Sequence, residues 1–146
     1  MNGPYAEESD EQSIRPSDEY DLPQSLSVLI VEDDQPAQML MQELLPQGYD
    51  VQVVAEATSA RRMMAENEYD LVLVDIGLEG SEDGIEFLQA MDSEGYWTNT
   101  VAIAVTAYAL PGDRRRIMDA GFDQYIAKPF TRETFLTTIT DVLNAD

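Results

Sequence analysis

Four short apolar runs in this sequence each lead directly into a residue capable of chemistry. VLIV runs into Glu32-Asp33-Asp34, LVLV into Asp75, VAIAV into Thr106 and QYIA into Lys128-Pro129. A single polar residue after an apolar run is ordinary, because such runs end in solvent. Four together carry more weight, and Lys128 is the only lysine among eight basic residues. Clustered carboxylates repel one another unless a cation sits among them. Mg²⁺ prefers oxygen ligands and typically uses one or two carboxylates, waters and substrate phosphate oxygens. Asp33 and Asp75 suit direct ligation, with Glu32 or Asp34 acting through water. An aspartate carboxylate is also a nucleophile able to form an aspartyl-phosphate. Lys128 then offers a fixed positive charge, and Thr106 a hydrogen bond to a phosphoryl oxygen.

Composition narrows the alternatives. Without histidine or cysteine, the chain cannot build a Ser-His or Cys-His nucleophile pair or a zinc site based on imidazole or thiolate. Phosphoryl or acid–base chemistry must run on carboxylates, hydroxyls and amines. A net charge of −21 repels a phosphate backbone, so neither nucleic acid nor an anionic membrane is an expected partner. An acid-rich, lysine-poor chain suggests a high-salt cytoplasm, where salt screens self-repulsion. No apolar run approaches bilayer length and no signal-peptide pattern opens the chain, so a cytoplasmic location is expected.

The elements that must position these residues follow from periodicity. Leu26–Val31, Val51–Ala55, Leu71–Val74, Val101–Val105 and Gln124–Ala127 are short, rich in Val and Ile, and mostly apolar on both faces. That is the pattern of parallel strands covered on both sides. Between them, residues 35–47 (capped by Asp34), Thr58 to about Asn67 (capped by Thr58), 83–93, 110–120 and 131–144 show helical spacing of apolar residues. Five βα units predict a doubly wound α/β domain, for which the flavodoxin-like order 2-1-3-4-5 is one of two common solutions. In such sheets ligands bind at the carboxyl ends of the strands, where the four polar groups fall. Residues 1–24 contain seven acidic residues and three prolines and few large apolar ones, and are expected to form a disordered leader to a domain spanning 25–146.

VLIVEDD, LVLVDIGL, DGIEF, VAIAVTA and DAGFDQYIAKPF, in this order, make residues 26–144 resemble the receiver domains of two-component response regulators, including the chemotaxis regulator. The resemblance implies that Asp75 is phosphorylated and that Glu32 and Asp33 form the acidic pair, with Asp33 as the direct Mg²⁺ ligand. The backbone carbonyl of Gly77 is the third protein ligand it implies. It assigns Thr106 and Lys128 to the phosphoryl group, Tyr125 to a rotamer change coupled to Thr106, and a cis bond to Lys128-Pro129. A partner histidine kinase or phosphotransfer protein would donate the phosphoryl group, in a reaction the domain catalyses on itself. A downstream protein target would read a face built from the fourth helix, fifth strand and fifth helix, with the chain a monomer or a phosphorylation-dependent dimer. One departure lies in GLEGSE (77–82), a residue longer than the usual loop and with Glu79 in place of the common proline. Tyr108, two residues after Thr106, is a candidate gate, and Arg114-Arg115-Arg116 is either a solvated helix face or a patch for an acidic partner.

Three rivals weigh less. An aspartate-nucleophile phosphatase would want a second Asp two residues after the first, where Gly77 stands. A flavodoxin-like cofactor carrier would need a phosphate loop after the first strand, where acids stand instead. A degenerate receiver would lack part of the Asp, Thr and Lys set.

Overall fold

In the computed structural model, residues 19–78, 82–97, 99–107 and 110–145 are described. Five strands, β1 (Ser27–Val31), β2 (Asp50–Val54), β3 (Leu71–Val74), β4 (Val101–Thr106) and β5 (Gln124–Ala127), form one parallel sheet in the order β2-β1-β3-β4-β5. Each strand is followed by a helix: α1 (Gln35–Leu44), α2 (Ala57–Glu66), α3 (Gly84–Ser93), α4 (Pro111–Ala120) and α5 (Arg132–Leu143).

Alternation along the strands divides the core into two layers. Leu29, Val31, Val72, Val74, Ala102 and Ala104 face one side, where Ala60, Met64, Phe87, Leu88 and Ile117 of α2, α3 and α4 cover them. Val28, Ile30, Leu71, Leu73, Ile103 and Val105 face the other, beneath Met41 of α1 and Phe135, Leu136 and Ile139 of α5. Because both faces are covered, the central strands are apolar except for Ser27 at the start of β1 and Thr106 at the end of β4, and β3 is buried throughout.

Local chemistry sets the helix ends. The Asp34 carboxylate accepts from the Ala37 N–H and caps α1 as expected. That helix stops at Leu44 instead of continuing to 47. Pro46 disfavours helical geometry at Leu45, which is extended at φ −72° and ψ 147°. Thr58 does not cap α2; Glu56 holds the cap position without a side-chain bond, and Thr58 lies inside the helix. Asp83 and Glu86 form a reciprocal capping box on α3. Gly84, the first residue of α3, lies against the carboxyl end of β3. A Cβ there would come within 2.9 Å of the Ile76 Cα and would collide with the Asp75 carbonyl. Only glycine lets α3 start this close to Asp75.

Residues 19–24, counted with the leader by composition, pack on the α1/α5 side. Leu22 is buried in that layer. The Tyr49 hydroxyl donates to the Pro23 carbonyl at 2.9 Å, and the Asn144 amide to the Asp21 carbonyl at 3.3 Å. Arg132 pairs with Glu19 at 3.0 Å and lies over the Tyr20 ring. Composition averaged over 24 residues hides the two apolar side chains, Tyr20 and Leu22, that make this packing worthwhile.

Candidate functional site

The strand order reverses between β1 and β3, and the polar residues converge at their carboxyl ends. Parallel pairing sets Val31 of β1 beside Val74 of β3, so the next residues, Glu32 and Asp75, leave the sheet side by side. The Asp75 N–H donates to the Val31 carbonyl at 2.9 Å. Ligand oxygens of Glu32, Asp33 and Asp75 lie within 4.8 Å of one another. Glu32 is fully buried, Asp75 nearly so, and Asp33 reaches solvent.

Lys128 enters from the far side of the sheet. Its backbone N–H donates to the Thr106 carbonyl at 2.8 Å, and the peptide bond to Pro129 is cis. Its Nζ donates to Glu32 Oε1 at 2.7 Å and lies 3.5 Å from Asp75 Oδ2. One ammonium thus spans two carboxylates contributed by separate strands.

Electrostatics follow from this geometry. Burial pushes the Glu32 carboxyl up to about 7; the hydrogen bond from Lys128 opposes that rise, and the neighbouring Asp75 adds to it. For Lys128, burial acts to lower the pKa, but the bond to Glu32 and the charges of Asp75 and Glu32 outweigh it, so the ammonium is held above its ordinary value. Three carboxylates against one ammonium leave negative charge uncompensated. An oxygen-only donor set of this kind, partly open to solvent, fits a hard divalent cation such as Mg²⁺.

Gly77 sits in the loop after β3, where its N–H donates to Asp75 Oδ1 at 3.0 Å and holds the carboxylate in orientation. Thr106 is fully buried at the end of β4, beside Ala127 of β5, the residue before Lys128. Tyr125 is half-buried on β5, with the Arg114 guanidinium 5.0 Å from its ring centroid. Asp34 is engaged in capping α1. Tyr108 and Glu79 lie outside the described residues. Periodicity missed Gln38, whose Nε2 donates to the Glu32 carbonyl at 2.6 Å; its position one turn beyond Asp34 offers no distinguishing signal. A cavity of about 660 Å³ opens at the opposite end of the sheet, around Asn67, Glu68, Asp70 and Thr100. No cation among the described residues lines it, so it has no counterpart there to the Lys128 arrangement.

A doubly wound α/β domain with clustered carboxylates and one lysine at its switch point is a domain built to hold a divalent cation beside a fixed positive charge. The family model for the response regulator receiver domain matches residues 28–140. The chain therefore belongs to the response-regulator receiver family, the receiver domains of two-component signalling. The polar-differentiation response regulator DivK of Brucella anthropi is 33% identical over 118 residues, covering 80% of this chain and 95% of that protein. Among solved structures, the receiver domain of the sensor histidine kinase PA1611 from Pseudomonas aeruginosa is 33% identical with a TM-score of 0.70, covering 80% of this chain and 95% of that one. That structure is described with a magnesium ion coordinated in its active-site cleft. A CheY-like receiver from Methanospirillum hungatei is 28% identical with a TM-score of 0.71, over 81% of this chain and 93% of that one. Receiver domains are signalling domains that bind Mg²⁺ in an acidic site and interact with histidine kinases and downstream targets. No helix among the described residues is long and apolar enough to cross a membrane.

Proposed function

We propose that Asp75 is the phosphoacceptor of this receiver and that a partner histidine kinase or phosphotransfer protein supplies the phosphoryl group. The observation that carries the reading is the Lys128 ammonium spanning Glu32 at 2.7 Å and Asp75 at 3.5 Å, beside three carboxylates within mutual reach of one cation. Asp33, Asp75 and the Gly77 carbonyl would hold Mg²⁺, with Glu32 acting through water. The bound ion would neutralise charge on the transferring group.

The chain's own residues do the rest. An Asp75 carboxylate oxygen attacks phosphorus while the bond from phosphorus to the donor atom breaks, and the donor leaves with the electron pair. The Gly77 N–H orients that carboxylate. Lys128, already a cation, moves part of its interaction from Asp75 to a phosphoryl oxygen. Thr106 donates a hydrogen bond to another. The domain thereby catalyses its own phosphorylation, and slow hydrolysis reverses it. Thr106 and Tyr125 then shift together and bias the α4–β5–α5 face toward its signalling state. The folded domain is proposed to begin near Glu19, given the packing of Leu22, and to work in a high-salt cytoplasm as a monomer or a phosphorylation-dependent dimer.

Acetyl phosphate with Mg²⁺, followed by intact mass, tests the assignment. Wild type should gain one phosphoryl group, and Asp75→Ala should gain none. An unchanged gain in Asp75→Ala would move the site elsewhere.

A further inference from the structure

We propose that Arg61 is a positioning residue for the Mg²⁺ site, seating the β3–α3 connection through Glu82. The inference rests on the reading of Asp33, Asp75 and the Gly77 carbonyl as the ligands, given above.

Both ends of that connection lie against Asp75. It begins with Ile76-Gly77-Leu78. Ile76 and Leu78 are buried and share a layer with Ala57, Ala60 and Met64 of α2 and Ile85 of α3. Between them, Gly77 donates its N–H to Asp75 Oδ1 and carries the carbonyl assigned to the metal. The connection ends with Glu82-Asp83, and the next N–H, of Gly84, donates to the Ile76 carbonyl at 3.2 Å. The position of the Gly77 carbonyl therefore depends on how α2 and α3 close over its two neighbours.

Arg61, on α2, ties that closure. Its Nη1 donates to Glu82 Oε2 at 3.0 Å and its Nη2 to Glu94 Oε2 at 3.5 Å. One guanidinium thus holds the carboxylate just before the α3 N-cap, Asp83, and the one at the α3 C-cap. The last turn of α3 has no basic residue of its own, so Arg61 brings a cation to the negative end of that helix. Exposed ion pairs contribute little, and Glu94, with 48% of its side chain exposed, is such a case. Glu82 differs, with only 17% exposed. Its Oε1 is buried with no hydrogen-bond partner among the described residues, and among those residues Arg61 is the only cation paired with it.

A carboxylate kept from water needs its countercharge. Without Arg61, Glu82 is driven outward to reach water and pulls on Asp83 and Gly84. Gly84 packs on the Asp75 backbone and bonds to Ile76, so the displacement passes to the residue before Gly77. Long-range attraction alone has the opposite sign, because a chain with one cation fewer draws Mg²⁺ more strongly. A loss of affinity on removing Arg61 therefore reports position and not net charge.

Isothermal titration of the full chain with magnesium chloride tests the clamp. Arg61→Gln should raise the Mg²⁺ Kd about tenfold, the lower end of the loss when a group that orients a metal ligand is removed. Arg62→Gln, at the adjacent exposed position of α2, should not raise it. Adding Glu82→Gln to Arg61→Gln removes the stranded carboxylate and should recover part of the loss, again against the direction set by net charge. With acetyl phosphate, Arg61→Gln should be slow at limiting Mg²⁺ and match wild type at saturating Mg²⁺. An unchanged or lower Kd in Arg61→Gln, an equal rise in Arg62→Gln, or no recovery in the double variant would overturn the proposal. So would a lower melting temperature with Mg²⁺ affinity intact, which would make the ion pair structural alone. If wild type and Arg61→Gln gain the phosphoryl mass alike at every Mg²⁺ concentration, the clamp fails while Asp75 stands as the phosphoacceptor. Absence of Mg²⁺ binding by wild type would remove the ligand assignment and the clamp with it.

Discussion

Lys128 is the residue on which the local electrostatics turn. Its ammonium offsets the buried Glu32 and lies within Coulombic reach of Asp75. Removing it should leave the fold able to form, because the Glu32 carboxyl, already pushed up to about 7 by burial, can take up a proton. What should be lost is charge compensation during transfer. Lys128→Ala is expected to slow phosphorylation by acetyl phosphate by roughly 10²–10³-fold, the range seen when one preorganised donor is removed from a transition state. The time course of the intact-mass change measures it, and a rate within about twofold of wild type would remove Lys128 from the reaction. The residue types at this site were legible in the sequence because each follows an apolar run. The pairing of Lys128 with Glu32 was not, since 96 residues separate them.

At the scale of elements, helix ends and the Glu19–Gln24 segment carry the less obvious physics. Tyr49 follows α1, lies buried, and donates its hydroxyl to the Pro23 carbonyl, fastening that segment to the domain. Burial pushes its pKa up to about 12, against about 10 for an unfolded tyrosine. The folded value exceeds the unfolded one, so the contribution to stability is complete below pH about 10 and is lost as pH rises toward about 12. Two units correspond to at most about 3 kcal/mol. Denaturant titrations at stepped alkaline pH should show wild type losing up to that much stability relative to Tyr49→Phe. Parallel pH dependence in the two proteins would contradict the linkage. Helix existence was readable from spacing, whereas the early stop of α1 and the uncapped start of α2 turned on single neighbours, Pro46 and Glu56.

Across the whole molecule, negative charge outweighs every other electrostatic feature. A net −21 means that folding gathers mutually repelling carboxylates into a small volume, a cost that added salt screens. The melting temperature should therefore climb from low salt to molar KCl, and a thermal-shift series over that range reads it directly. A flat series would remove the high-salt adaptation.

The order of elements was open to reading because strand burial and helical periodicity are local patterns, and so was the set of polar residues that follow the strands; the sheet order was left between two solutions by periodicity and followed only from the motifs arriving in family order. Three things were decided only by the tertiary structure: the span of Lys128 across two strands, the approach of Gly84 to the Asp75 backbone, and the stacking of Arg114 on Tyr125. Each depends on distances between segments remote in the chain. A period of two or of 3.6 residues says which face a side chain occupies, and nothing about which remote group it will meet there.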